Sequence, residues 1–500
     1  MNANLPTFAV VGAVNHGKSS VVAALAEDDQ VRVSAMPGET VANQGFGLRD
    51  LLTFVDTPGF QNARKALAEL VADVAGADSL DPFRRFVERH RDAPAFEAEC
   101  RLLRPVIAGA GILYVVDGSR PLRDINLCEM EILRRTGVPR LAIINRTGKA
   151  DYEEEWRGRL NQHFNLVREF DAHRATFADR RDLVESLAII ERGWKDRLGR
   201  AVQAMDADRR QRIVEAAGLI AELLVDGVGH TETARLDTMG DEAARAGQAE
   251  ALRRCYTDGI AEMERTAHRK IIALYAHRRM RPEAMPDHVF AEDLFGEETW
   301  RLFGLGIRQL VGLSAVAGSV AGAGVDAATL GHSLGIGAAF GAATGAGGAY
   351  LLGRRRPEIS IAWPGGPVTK WISSLGASGA WRFGGADVVV GPYRAENFPW
   401  ILLDRALCVF AAVITRSHAR RDDTTPSVEM LLMLLKRLKL SVSEWPDAER
   451  VVCQKVFRRI RAGKAVDTTQ AQIFRNVIQA ALDRVAVQEW SLAPVIDKPA

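Results

Sequence analysis

An apolar run, Phe8-Ala9-Val10-Val11, leads into Gly12-Ala13-Val14-Asn15-His16-Gly17-Lys18-Ser19 and then Ser20-Val21-Val22-Ala23-Ala24-Leu25. Strand, glycine loop and helix in this order, with Gly-Lys-Ser closing the loop, is the full spacing of a phosphate-binding P-loop. The glycines let successive backbone N–H groups turn inward around phosphate oxygens, and the helix N-terminus adds a favourable dipole. In such a loop Lys18 reaches the β- and γ-phosphates and the Ser19 hydroxyl ligates Mg²⁺. Gly12, Asn15, His16, Gly17, Lys18, Ser19 and Ser20 are therefore the first candidate nucleotide-binding residues.

A second landmark lies about forty residues downstream, where the strand-like run Leu51–Val55 ends in Asp56-Thr57-Pro58-Gly59. An acid at a strand end holds Mg²⁺ through water, and a glycine leaves its N–H free to meet a γ-phosphate. Alone, the tetrapeptide reads as an Asp-containing turn; paired with the upstream loop, it reads as the second half of a nucleotide site. Between the two lies Met36-Pro37-Gly38-Glu39-Thr40, a polar loop ahead of an expected hairpin, Val41–Asp50 with Leu51–Asp56. Thr40 is placed to close over the metal and the γ-phosphate. Ser19, Thr40 and Asp56 form the expected metal set, and Lys18, Thr40 and Gly59 the expected catalytic set.

Further on, Gly111–Asp117 reads as a buried parallel strand, Asp124–Arg135 as a helix, Leu141–Asn145 as the next strand and Leu166–Phe170 as the last. Strands alternating with helices predict a doubly wound α/β sheet with right-handed crossovers. About fifty residues separate Gly59 from Ile112, more than a crossover helix requires. Ala63–Asp78 and Pro82–Arg104 carry helical apolar spacing, so a helical insertion over about 62–105 is expected directly after the Asp56–Gly59 motif. It is placed to transmit nucleotide state, or to serve only as packing.

On Gly12–Ser19, Thr40 and Asp56–Gly59 the chain resembles the translation-factor-related class of small bacterial GTPases, especially the Era and TrmE-like group, over roughly residues 5–175. The resemblance implies GTP and GDP as ligands, slow intrinsic hydrolysis to GDP and phosphate, and Mg²⁺. It also implies K⁺ near Asn15, an apolar residue (Phe60) after the second motif, and activation by potassium, a partner or self-association. Gln61 is one position too late to orient water as the glutamine of other GTPases does, and no residue stands out as a general base. The base-reading motif of the class is Asn-Lys-x-Asp, whereas this chain has Asn145-Arg146-Thr147-Gly148. Asn145 matches and Arg146 offers an aliphatic stem, but the acid that binds guanine N1–H and its amine is missing. Such a loss weakens guanine preference by several kcal/mol, on the order of two charge-assisted hydrogen bonds. Asp151 is a candidate replacement if its loop bends back, and the last base-contact loop is expected near Ala172-His173.

A length of 500 residues implies two or three domains: 1–180 the P-loop G domain, 181–300 a helical linker or bundle, 301–356 a glycine-rich apolar hairpin and 357–500 a mainly helical region. The fold class is thus α/β, with a mainly α-helical C-terminal part. A net charge of +2 gives no field for nucleic acid. Five scattered cysteines without a Cys-x-x-Cys pair read as buried reduced thiols, and no leader precedes the first strand, so a cytoplasmic protein is expected. Residues 182–280 read as long helices, with a stripe over Ile213–Leu224 and a polar break bracketed by Gly227 and Gly240. His268 and His277 read as surface or packing residues.

From Gly304 to Gly353 charge nearly vanishes and glycines recur four apart, as at Gly318/Gly322 and Gly337/Gly341/Gly345. That spacing lets two helices approach closely as membrane pairs do, and two apolar segments of about twenty residues with flanking arginines fit a hairpin entering the inner membrane from the cytoplasm. A buried hairpin of the helical domain, or a self-association surface, shares the pattern. Glu358–Trp363 and Asp387–Val390 read as short strands near Trp363, Trp371, Trp381 and Trp400, which suit a membrane interface or a small packed β-layer. Trp400–His418, Val428–Leu440 and Trp445–Arg484 read as helices. With Asp293-Leu294-Phe295-Gly296, this layout resembles an uncharacterised bacterial family of GTPases with a C-terminal domain of unknown function. The expectation is a GTPase switch, peripheral to or inserted in the inner membrane; the rival is a weakly hydrolysing scaffold assembled through the hairpin.

Overall fold

The computed structural model describes residues 6–26, 52–73, 79–146, 151–235, 242–275, 294, 299, 302–306, 308–310, 313, 382–384, 387–393, 395–415 and 428–488. Thr40, the expected strand 41–50, Gly148, His277, nearly all of the glycine-rich stretch, and Trp363, Trp371 and Trp381 lie outside the described residues.

Strands β1 (Thr7–Val11), β2 (Thr53–Asp56), β3 (Gly111–Asp117), β4 (Arg140–Asn145) and β5 (Leu166–Glu169) form one sheet in the order β2-β1-β3-β4-β5. Every neighbouring pair is parallel. Runs such as Ile112–Val116 are fully buried because helices cover both faces. Successive side chains point to opposite faces. Ala9, Val11, Ile112, Tyr114 and Val116 meet helices α2 (Ala63–Ala72), α3 (Asp81–Arg89), α4 (Glu97–Ile107), α5 (Asp124–Arg135) and α6 (Glu153–His163). Phe8, Val10, Leu113 and Val115 meet α1 (Lys18–Ala26), α7 (Phe177–Ile190) and the start of α8 (Lys195–Gly229). Fold class and strand placement agree with the pattern read from sequence, and β3 and α5 carry the bounds read there.

Pro82–Arg104, expected as one helix, is two. The chain leaves α3 at His90, Ala93 is extended at ψ 110° ahead of Pro94, and a short turn Pro94–Phe96 re-enters α4. Proline lacks an N–H and pushes the residue before it out of the helical region, which is enough to break the run.

The C-terminal half is built from α8, α9 (Glu242–Leu274), α10 (Phe398–Thr415), α11 (Val428–Arg437), α12 (Asp447–Arg461) and α13 (Thr468–Gln488). One hydrophobic core runs through it from Ile213 to Val485, so the stretches before and after the glycine-rich segment pack as one unit. Its centre is α10, in which every side chain from Phe398 to Val413 is buried. Among the described residues α10 alone has the length and mean hydropathy (1.7) of a membrane span, but 89% of it is covered by the protein itself. It is a core helix.

Four local readings change. Gly227 lies inside α8, packed near Leu402, and the helix ends only at Gly229. The polar break holds a strand, β6 (Glu232–Arg235), which pairs antiparallel with β8 (Asp387–Val390); β7 (Arg382–Gly384) flanks β8 on its other side. Trp400 is fully buried in the helical core, where its indole N–H donates to Gln454 Oε1 at 3.0 Å; it lies in neither a β-layer nor an exposed interface. Cys100, Cys408 and Cys453 are buried free thiols as expected, whereas Cys128 is half-buried and Cys255 is exposed. His268 is a packing residue, buried beside Glu264 at 4.0 Å.

Candidate nucleotide site

The P-loop leaves β1 beside β3, and the crowding there dictates its residues. Gly12 has φ +149°, and a Cβ on it would overlap the Val115 carbonyl oxygen. Asn15 sits in the left-handed region at φ +66°, where Asn is one of the few side chains tolerated. The second motif converges on this loop. Thr57 Oγ1 donates to the Val10 carbonyl at 2.8 Å, drawing the end of β2 to the end of β1. Gly59 then lies so near the loop that a Cβ would stand 2.8 Å from the Gly12 carbonyl oxygen.

Lys18, in the first turn of α1, folds across the loop and donates to the carbonyls of Gly12 at 2.8 Å and Ala13 at 3.1 Å. Burial pushes its pKa down, opposed by the charges of Asp56 and Glu129. Asp56 is the complement: burial raises its pKa, and Lys18 opposes the rise. Asp56 Oδ1 is buried without a hydrogen-bond partner. A hydroxyl, one carboxylate and phosphate oxygens are the donors Mg²⁺ prefers, with waters retained. Ser19 and the unpartnered Asp56 oxygen fit that ion. Among the described residues no cluster of three or more His, Cys, Asp or Glu side chains could hold a metal by itself.

At the other end of the loop, Asn145 closes β4 and is completely buried. Its Nδ2 donates to the His16 carbonyl at 3.4 Å, and its Oδ1 accepts the Ala172 N–H at 3.1 Å. One side chain therefore staples the P-loop to the loop after β5, where the last base contact was expected. The His16 ring is buried edge-on to Trp156 at 6.4 Å, and burial lowers its pKa to about 4, leaving it neutral near pH 7. Arg146 donates to Glu153 Oε1 at 2.6 Å and stands 3.4 Å from Asp151, so its guanidinium is turned to α6. Ser20 follows Ser19 in the first turn of α1.

Two buried acids were missed by sequence reasoning. Glu99, on α4, is wholly buried and accepts the backbone N–H groups of Gln61 at 2.7 Å and Asn62 at 2.6 Å through Oε1, while Oε2 is buried without a partner. The insertion thus grips the backbone two residues after Gly59 and caps α2 from a neighbouring helix. Glu129, on α5, accepts from Tyr114 Oη at 2.6 Å and Asn126 Nδ2 at 3.2 Å; burial raises its pKa, and Lys18 opposes that. The available signal was an acid on the apolar face of an amphipathic helix: Glu99 sits among Ala98, Cys100, Leu102 and Leu103.

A parallel sheet with a glycine loop, a lysine, a strand-end aspartate and a glycine meeting at one edge defines a P-loop nucleotide-binding domain of the GTPase class. A family model described as "50S ribosome-binding GTPase" matches residues 7–146. The chain belongs to the family described as "Domain of unknown function (DUF3482)", whose model matches residues 157–484. Among curated proteins, the "Probable GTP-binding protein EngB" of Bacillus mycoides (strain KBAB4) is 24% identical over 169 residues, covering 34% of this chain and 72% of that protein. The protein of the same name from Protochlamydia amoebophila (strain UWE25) is 46% identical over 61 residues, 12% of this chain. The chain spans 30% of the length of that relative. The GTPase resemblance drawn from the motifs is thus shown for the amino-terminal domain, and the domain of unknown function for the remainder.

Proposed function

We propose that the amino-terminal domain binds GTP with Mg²⁺ and hydrolyses it to GDP and phosphate, acting as a slow molecular switch for the helical half. The observation that carries this reading is the seating of Gly59 against the Gly12 carbonyl, with Lys18 and Asp56 near enough to shift one another's ionisation. Lys18, the loop amides and the Gly59 N–H stabilise the transferring phosphoryl group, and Thr40 is assigned to close over it. Mg²⁺ held by Ser19, Thr40 and Asp56 would neutralise charge on the β- and γ-phosphate oxygens. Asn15, in its left-handed conformation, is the proposed K⁺ contact. Activation by self-association, and docking of the glycine-rich stretch on the inner membrane face, complete the proposal.

The test compares GTP and ATP affinity for the full chain and Lys18→Ala, then phosphate release with and without potassium at several protein concentrations. GTP preference, loss of binding in Lys18→Ala by about a hundredfold or more and potassium-stimulated release are expected. Unchanged GTP affinity in Lys18→Ala would reject the site. Binding without turnover under every condition would favour the scaffold reading.

A further inference from the structure

We infer that Asp171 supplies the carboxylate that reads the guanine base, in place of the acid missing at Gly148. The inference rests on the GTP reading above and names its specificity residue. A guanine ring offers two adjacent donors, N1–H and the exocyclic amine, and a carboxylate accepts both. Position 148, where the class carries that acid, is glycine.

Two nearby aspartates compete for the role. Both cap a local turn, so position and burial decide: Asp151 accepts the Glu153 N–H at 3.1 Å at the start of α6, lies 3.4 Å from Arg146, and has a side chain 66% exposed. Asp171 is tied to the site. It directly precedes Ala172, whose N–H is held by the buried Asn145 side chain, and Asn145 also holds the His16 carbonyl of the P-loop. The P-loop, the end of β4 and residues 171–173 are thereby one assembly. The Asp171 side chain is 30% exposed. Its Oδ1 accepts the His173 N–H at 3.0 Å, the Arg174 backbone N–H also bonds to the carboxylate, and Oδ2 pairs with Arg174 Nε at 3.8 Å, all within its own turn. Burial raises its pKa, as it does for a carboxylate drawn away from water.

The experiment is base selection by the full chain. Xanthine carries a carbonyl where guanine carries its amine, so an amide side chain reads it and a carboxylate does not. Asp171→Asn keeps Oδ1 as the acceptor for the His173 N–H and so preserves the turn. The expected result is a fall in GTP affinity of about a hundredfold with a matching gain for xanthosine triphosphate, a reversal no purely structural role produces. Asp171→Ser, which also keeps a turn-capping oxygen, should lose GTP without gaining xanthosine triphosphate. If Asp171→Asn retains the native preference, or Asp151→Asn gives the reversal instead, the inference is overturned while the GTP reading stands. If the native chain binds guanosine, adenosine and xanthosine triphosphates equally, guanine selection and Asp171 fall together, leaving only the phosphate site.

Discussion

Among the described residues, buried carboxylate oxygens without a partner lie only in the sheet domain, where they stand beside satisfied acids such as Glu129, and the helical half has none. In the helical half every oxygen of Glu264 and Asp404 is used. Arg405 donates to both Glu264 oxygens at 2.6 and 2.9 Å, and Asp404 accepts the N–H groups of Val442 at 2.9 Å and Gly304 at 2.8 Å. In the sheet domain Asp56 Oδ1 and Glu99 Oε2 are buried with no partner. An unpartnered buried acceptor costs about 1–3 kcal/mol, so a fold keeps one chiefly where something else completes it. The contrast sets acids that hold a structure apart from Asp56 and Glu99, each of which keeps one buried oxygen unpartnered. Helix α8 belongs to both regions: Leu198–Met205 packs under the sheet, Ile213–Val228 lies in the helical core, and the charged run Asp206–Arg212 lies between.

The largest effect should come from breaking the satisfied side. Arg405→Ala leaves Glu264 charged, buried and unpaired, which costs about 3–5 kcal/mol. Denaturant unfolding should record that loss, and replacing both partners by apolar residues (Glu264→Leu with Arg405→Met) should recover most of it. Nucleotide affinity should stay within about threefold of the native value, since additivity holds for distant sites. A collapse of nucleotide binding in folded Arg405→Ala would show that the two cores are not separate units.

Glu99 probes the unsatisfied side. Glu99→Ala frees the Gln61 and Asn62 N–H groups and should cost about 1–3 kcal/mol of stability. GTP turnover should fall further than GDP affinity, because the grip lies just after Gly59 and away from the base. Glu99→Gln, which still accepts through Oε1, should restore most of the stability. Equal losses of GDP and GTP binding would reduce Glu99 to a helix cap.

What was legible in the sequence follows from range. Gly12–Ser19 and Asp56–Gly59 were readable because each motif is a local backbone shape, and β3 and α5 because an apolar run and a 3.6-residue stripe are local periods. Glu99 was not readable as a site residue, since its partners lie 37 and 38 positions away. The β6–β8 pair joins Glu232 to Val390 across the glycine-rich stretch, and no local propensity encodes such a partner. The Asn145 staple needed three segments of chain to meet before its second use became visible.

The smallest effect lies in the pH dependence of the satisfied side. Burial raises the Asp404 carboxyl to about 7, against the backbone N–H bonds from Val442 and Gly304, which pull it down. A folded-state pKa above the ordinary carboxylate value means that the native state holds this proton more tightly than the unfolded chain. The resulting stability is full below the unfolded pKa and is lost as pH rises through about 7. Between about pH 6 and about pH 8 the loss should be on the order of 1 kcal/mol. Asp404→Asn cannot ionise, so although it lacks one acceptor, its stability deficit relative to the native chain should shrink as pH rises. Thermal unfolding of both proteins across that range measures the gap. A gap that stays flat across that range would mean that the two N–H donors outweigh burial and that Asp404 is ionised throughout, making it the helical half's most fully satisfied acid and deepening the contrast with Asp56.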